Sequence, residues 1–262
     1  MNERLMKAKD KIIKELKDFT DVAVLGMSGG ADSTLVACLC IEALGANHVI
    51  SLHMPYSETD IKKFNANSVR IAKKLNMIYI KEINIKPIVD SYFIQTDHAT
   101  SLIVGNTRSR VRANLLYNWA GHLNNIPLKV KARVIGTGNL SEDFIGYDTK
   151  GGDALADIFP IGELYKREVY EMLDYYVSVG YIDEDMIDRV PSAGLWDDQT
   201  DEKELGYSYN DMEPHIRFMK TNYSMMNDIK LEEGSIADFV WKRHLANKHK
   251  HEAPKVISLS DL

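Results

Sequence analysis

The apolar run Val22-Ala23-Val24-Leu25 passes through Gly26-Met27 into Ser28-Gly29-Gly30-Ala31-Asp32-Ser33, and a mostly apolar segment, roughly Ser33 to Ala43, follows. A strand, a glycine-rich turn and a helix in that order commit the chain to an α/β unit with an anion pocket at the turn. Paired glycines let backbone approach phosphate oxygens without a Cβ in the way and permit positive φ. The helix that follows aims its unpaired N–H groups and positive dipole end at the same anion. Asp32 cannot meet a phosphate favourably unless a Mg²⁺ lies between them. The bland alternative is an ordinary βα turn with an acidic first helical turn. Lysine does not follow the glycines, so this is not the Gly-x-x-x-x-Gly-Lys-[Ser/Thr] loop.

Downstream the pattern repeats. His48–Met54 reads as a second strand, a helix is predicted from about Thr59 to Leu75, and Met77–Ile83 reads as a third strand. Pro87 suits the first turn of the next helix, Gly105–His122 reads as a helix, and Ala132–Gly136 as a buried strand. The expected fold class is α/β: a Rossmann-like parallel sheet with helices on both faces and a C-terminal helical extension. The loops at 26–33, 53–56 and 136–142 then fall at the C-terminal ends of strands, where such folds bind ligands. Pro191–Tyr209 is polar and acidic and reads as a solvated loop able to close over a site. A helix is predicted from Leu231 to Asn247, ended by Lys248–His251 and Pro254.

At 262 residues and 45% hydrophobic, the chain can bury a substantial core, and it reads as a single domain over 1–262. A net charge of −6 argues against a broad nucleic-acid surface. Cys38 and Cys40 stand two apart on one helix and cannot pair, which suits buried thiols in a reducing cytoplasm. No run is long enough to span a bilayer, and the charged, amphipathic Met1–Lys17 is not a signal peptide.

Three further segments carry chemistry. Asn106-Thr107-Arg108-Ser109-Arg110-Val111-Arg112 spaces arginines two apart, so on a helix they fan out and cannot all serve one ligand. Gly136-Thr137-Gly138-Asn139-Leu140-Ser141-Glu142-Asp143 offers Thr137 to a nucleotide and Glu142 as a second Mg²⁺ carboxylate, or else a capped helix with Glu142 in its first turn. Lys150–Asp157 is a glycine turn between a cation and a carboxylate, and Lys166-Arg167 places positive charge near a helix start, where a dipole does not call for it.

The Ser-Gly-Gly-x-Asp-Ser loop resembles that of the ATP pyrophosphatases, which split ATP between its α and β phosphates. Together with Leu116-Tyr117, Pro191–Leu195 and His249-Lys250, these segments resemble the ammonia-dependent NAD synthetases over nearly the whole chain. That resemblance implies a carbon–nitrogen ligase that uses ATP as co-substrate to amidate nicotinic acid adenine dinucleotide (deamido-NAD) with ammonia. It implies ATP contacts from Gly26, Met27, Ser28, Gly29, Gly30, Ala31, Asp32 and Ser33, with Thr137, Lys166 and Ser192. Asp32 and Glu142 would hold Mg²⁺, while Arg110, Lys150, Asp157, His249 and Lys250 would meet deamido-NAD. Asp32, Asp157 and Lys166 are the candidate catalytic residues, Asp157 as the proton acceptor from ammonium. A homodimer with the dinucleotide near the subunit interface is implied as well. His251 stands where the family commonly has arginine, and His53-Met54 departs from the family before Pro55-Tyr56. About twenty residues precede the first strand, too few for a glutaminase domain, so ammonia is the expected nitrogen donor. Pro191–Tyr209 and the His249-Lys250 segment are expected to order only with substrate. Another AMP-forming ligase, such as a GMP synthetase or a tRNA-thiolating enzyme, and a nucleotide sensor without chemistry are the rival readings.

Overall fold

The computed structural model describes residues 1–60, 66–94, 99–127, 129–187 and 200–259. Four parallel strands, β1 (Val22–Gly26), β2 (Val49–His53), β3 (Tyr79–Glu82) and β4 (Ala132–Ile135), lie in the order β3-β2-β1-β4. β1 is central, with Leu25 opposite Ser51 on one side and Ile135 on the other. Its alternating side chains serve two cores, as period-two geometry requires. Ala23 and Leu25 join the core formed with α1 (Glu3–Phe19), α2 (Ala31–Leu44) and α8 (Lys166–Ser178). Val22 and Val24 face the other core, with α5 (Lys86–Ser91) and α6 (Ser101–Asn124). Cys38 and Cys40 are both free and buried in α2.

Between β2 and β3 the described residues place α3 (Glu58–Asp60) and α4 (Ala66–Lys74); the centre of the helix expected from Thr59 to Leu75 lies outside them. β3 is shorter than Met77–Ile83 predicted, because Ile78 remains 61% exposed and only the middle of the run pairs with β2. After β4, α7 (Leu140–Ile145) packs with α9 (Asp201–Leu205), α10 (Tyr209–Thr221) and α11 (Ile236–Asn247) around Phe144, Met212, Ile216 and Val240. The C-terminal extension therefore has an apolar centre of its own.

Two expectations for this region are corrected. Residues 200–209 are not a solvated loop: Leu205, Tyr209 and Asp201 are buried, and Thr200 caps α9. Residues 188–199, including Pro191, lie outside the described residues. The helix expected from Leu231 begins only at Ile236, where Ser235 accepts from Asp238 N–H and caps it.

His53 sits 1% exposed at the end of β2, with Nε2 2.6 Å from Ser51 Oγ and Nδ1 2.6 Å from Ser68 Oγ. Burial lowers its pKa to about 4. An unfolded chain accepts that proton below about pH 6.5, and the native state refuses it until about pH 4. Stability therefore holds above pH 6.5 and falls between pH 6.5 and 4, by at most about 3 kcal/mol from this group. Urea unfolding at stepped pH should show this slope, and His53→Gln should flatten it; an unchanged slope in the variant would remove His53 as its source.

Candidate active site

β1 ends at Gly26, and the chain turns through Gly29, at φ 76°, into α2. No side chain caps α2: Gly30 is its N-cap, so the first amides remain open to an anion. The turn is held from within. Ser28 Oγ lies 3.0 Å from Ser33 Oγ and accepts from Gly30 N–H, and Thr34 Oγ1 donates to Gly30 O at 2.7 Å. Asn67 Nδ2 from α4 donates to Gly29 O, fixing the turn from outside.

Asp32, Glu142 and Lys166 converge beside this turn. Lys166 Nζ lies 2.6 Å from Asp32 Oδ2 and 2.8 Å from Glu142 Oε1, with only 6% of the lysine side chain exposed. Burial opposes the ammonium charge, but the two carboxylates raise its pKa overall. Burial and the charge of Asp32 push Glu142 upward against the pull of Lys166. Asn139 organises both acids: its Oδ1 accepts from Glu142 N–H as the cap of α7, and its Nδ2 donates to Asp32 Oδ1 at 2.8 Å. The capped-helix reading of Glu142 is what the structure shows, and that capped first turn delivers its carboxylate to Lys166. One cation already touches both acids, so their all-oxygen donor set fits a Mg²⁺ completed by phosphate oxygens and water.

A cavity of about 280 Å³ opens over these groups. Gly26, Met27, Ser28, Gly30, Ala31, Asp32, Ser33, Thr137, Glu142 and Lys166 all line it. Gly29 belongs to the turn but not to the wall, and Ser192 lies outside the described residues. Leu52, Met54 and Leu116 give one apolar side, where a flat base can lie. Several further lining residues were given no individual role by the sequence, among them Arg112, Tyr170 and Asp201. Arg112 Nε donates to Met54 O; Tyr170 comes from α8; and Asp201, buried in α9, accepts from Tyr209 OH at 3.1 Å. Neither polarity nor spacing marks Asp201, because the fold of the C-terminal helices is what turns it inward.

The residues expected to meet deamido-NAD do not line this cavity. Four of them gather nearby. Arg110 Nε donates to Lys150 O, and Lys150 Nζ donates to His249 O at 2.6 Å. Lys250 Nζ donates to the carbonyls of Gly146 and Asp148, both at 2.7 Å, and His251 pairs with Asp148 Oδ2 at 2.5 Å. Lys250 is thus tied to the turn after α7. The three arginines do fan out: Arg108 stacks 3.5 Å from the Tyr56 ring, Arg110 points to Lys150 and Arg112 to Met54. Asp157 accepts from Val134 N–H at 2.7 Å and is not itself a lining residue, although Val134 is.

Residues 4–254 match the NAD synthase family. The NH(3)-dependent NAD(+) synthetase of Methanococcoides burtonii is 36% identical over 92% of this chain and 88% of its own. The NH3-dependent NAD synthetase of Campylobacter jejuni, solved with nitrate, superposes with a TM-score of 0.74 at 28% identity, covering 98% of this chain and 100% of that one. An NMN synthetase of Francisella tularensis gives a TM-score of 0.76 at 27% identity, over 97% and 99% of the two chains. A nucleotide turn, an acid–lysine–acid centre and a matching sequence from end to end converge on one assignment: the chain belongs to the NAD synthase family.

Proposed function

We propose that the cleft is where this chain, an ATP-consuming carbon–nitrogen ligase, amidates deamido-NAD with ammonia to form NAD, the last step of NAD biosynthesis. The observation that carries the residue assignment is the Asp32–Lys166–Glu142 centre beside the uncapped start of α2. The nicotinate carboxylate is a poor electrophile, because its leaving group would be oxide. Its oxygen attacks the α-phosphorus of ATP, the bond to the bridging oxygen breaks, and pyrophosphate leaves with an acyl adenylate formed. Ammonia then attacks the acyl carbon and AMP departs. The amides of the 26–33 turn bind phosphate, Thr137 contacts the nucleotide, and the Lys166 ammonium moves from the carboxylates toward phosphate oxygens. Asp32 and Glu142 would hold Mg²⁺, which when bound offsets phosphate charge. Ser192 is assigned to ATP as well.

Arg110, Lys150, His249 and Lys250 form a basic rim for the dinucleotide, and Asp157 is assigned to it as well. A homodimer suits the exposed apolar side chains Ile78, Tyr79, Tyr92, Ile94, Leu102 and Ile103, borne by β3, α5 and the start of α6 and the segments flanking them. The place of action is the cytoplasm, in keeping with two free buried thiols; among the described residues no helix is long and apolar enough to cross a membrane.

The test is NAD and pyrophosphate formation on mixing ATP, Mg²⁺, deamido-NAD and a nitrogen donor. Ammonium should support full turnover and glutamine almost none, since the relatives are named for ammonia. Equal rates with glutamine would sink the ammonia assignment. The Francisella likeness makes nicotinic acid mononucleotide the competing acceptor, and a higher kcat/KM with it than with deamido-NAD would overturn the dinucleotide assignment.

A further inference from the structure

Lys166 is the first residue of α8, and the start of that helix is held by groups outside the cleft. Lys166 N–H donates to Ser141 Oγ at 3.0 Å, and Arg167 N–H donates to Glu213 Oε1 at 3.1 Å. The Ser141 hydroxyl donates to that same Oε1 at 3.0 Å. Ser141 immediately precedes Glu142 in α7, while Glu213 comes from α10 and is only 5% exposed. One oxygen of one buried side chain thus joins the first turns of the two helices that carry Glu142 and Lys166. A carboxylate at the start of α8 also complements the positive end of that helix. Four residues on, Arg217 donates to Glu168 and lies 3.6 Å over the Tyr165 ring, so the same face of α10 grips the turn twice.

We propose that Glu213 is a positioning residue of the amidation, setting the gap between Lys166 and Glu142 through Ser141 and the α8 amides. The proposal rests on the reading that those two side chains serve ATP. A misplacement of about 1 Å can cost on the order of a hundredfold in rate, so the effect belongs in kcat. A plain helix cap would lower stability and leave kcat alone.

Glu213→Ala should lower kcat at least about tenfold, with KM for ATP within about threefold. Glu213→Gln keeps the Oε1 acceptor that takes both bonds, and should return kcat to within about threefold of the parent. Met219→Ala, in the same helix at a fully buried position, should lose stability and retain kcat when assayed below its melting transition. Independently of activity, hydrogen exchange in Glu213→Ala should accelerate at the Lys166 and Arg167 amides and not at Met172 or Leu173. A Glu213→Ala kcat within about threefold of the parent, an equal kcat loss in Met219→Ala, or unchanged exchange at Lys166 and Arg167 overturns the proposal. A parent chain that forms no NAD overturns the functional reading instead, and the exchange experiment then decides on the Glu213 tie alone.

Discussion

Asp32→Asn should lower turnover by about a hundredfold or more while leaving the fold intact. The change keeps size and the bond from Asn139 Nδ2, and removes the charge that meets Lys166 Nζ at 2.6 Å. Steady-state kinetics across a Mg²⁺ series is the measurement, and the half-saturating Mg²⁺ should rise together with the fall in kcat. A loss under about tenfold, equivalent to about 1.4 kcal/mol in the barrier, means that Asp32 is not a metal ligand.

Lys166→Met should be at least as damaging, with turnover down by about a hundredfold to a thousandfold, the usual span when one preorganised charge donor is removed. The stem is preserved, but Asp32 and Glu142 then face each other, half-buried, without their shared cation. Breaking a fully buried pair costs about 3–5 kcal/mol; here the acids keep some solvent contact and the cost is lower, eased further when Glu142, already pushed upward by burial, takes a proton. Millimolar Mg²⁺ without nucleotide should therefore raise the melting temperature of Lys166→Met more than that of the parent. Equal shifts in the two proteins would show that the lysine does not compete with a metal for these acids.

The strand–turn–helix unit was legible because its signals are local: four apolar residues, two glycines and an uninterrupted apolar helix. Strand positions followed from apolar runs for the same reason, and β4 ends within a residue of the predicted boundary. Sheet order was not legible, since adjacency of β1 and β4 depends on a crossover that spans most of the first half of the chain. α10 escaped because Pro214 reads as a helix breaker. It lies in the second turn, where its ring removes the amide that would bond Asn210 C=O, so α10 stands on its Ser208–Asp211 capping box and on the burial of Met212, Ile216 and Met219. In the site, Asp32 and Glu142 were found through motifs, but their shared contact with Lys166 joins residues more than a hundred positions apart. Lys250 was marked as a ligand group by the His249-Lys250 resemblance; it bonds two backbone carbonyls about a hundred residues away in sequence, which no composition reveals.

The bonds from Lys250 to Gly146 and Asp148 have a consequence for biosynthesis. The described strands can pair once β4 has left the ribosome, while the residues after it are still being made. The turn after α7 must wait for a lysine made about a hundred residues later. The last ties of that turn therefore form only when the C-terminal residues arrive, and a chain that stops short of Lys250 lacks them.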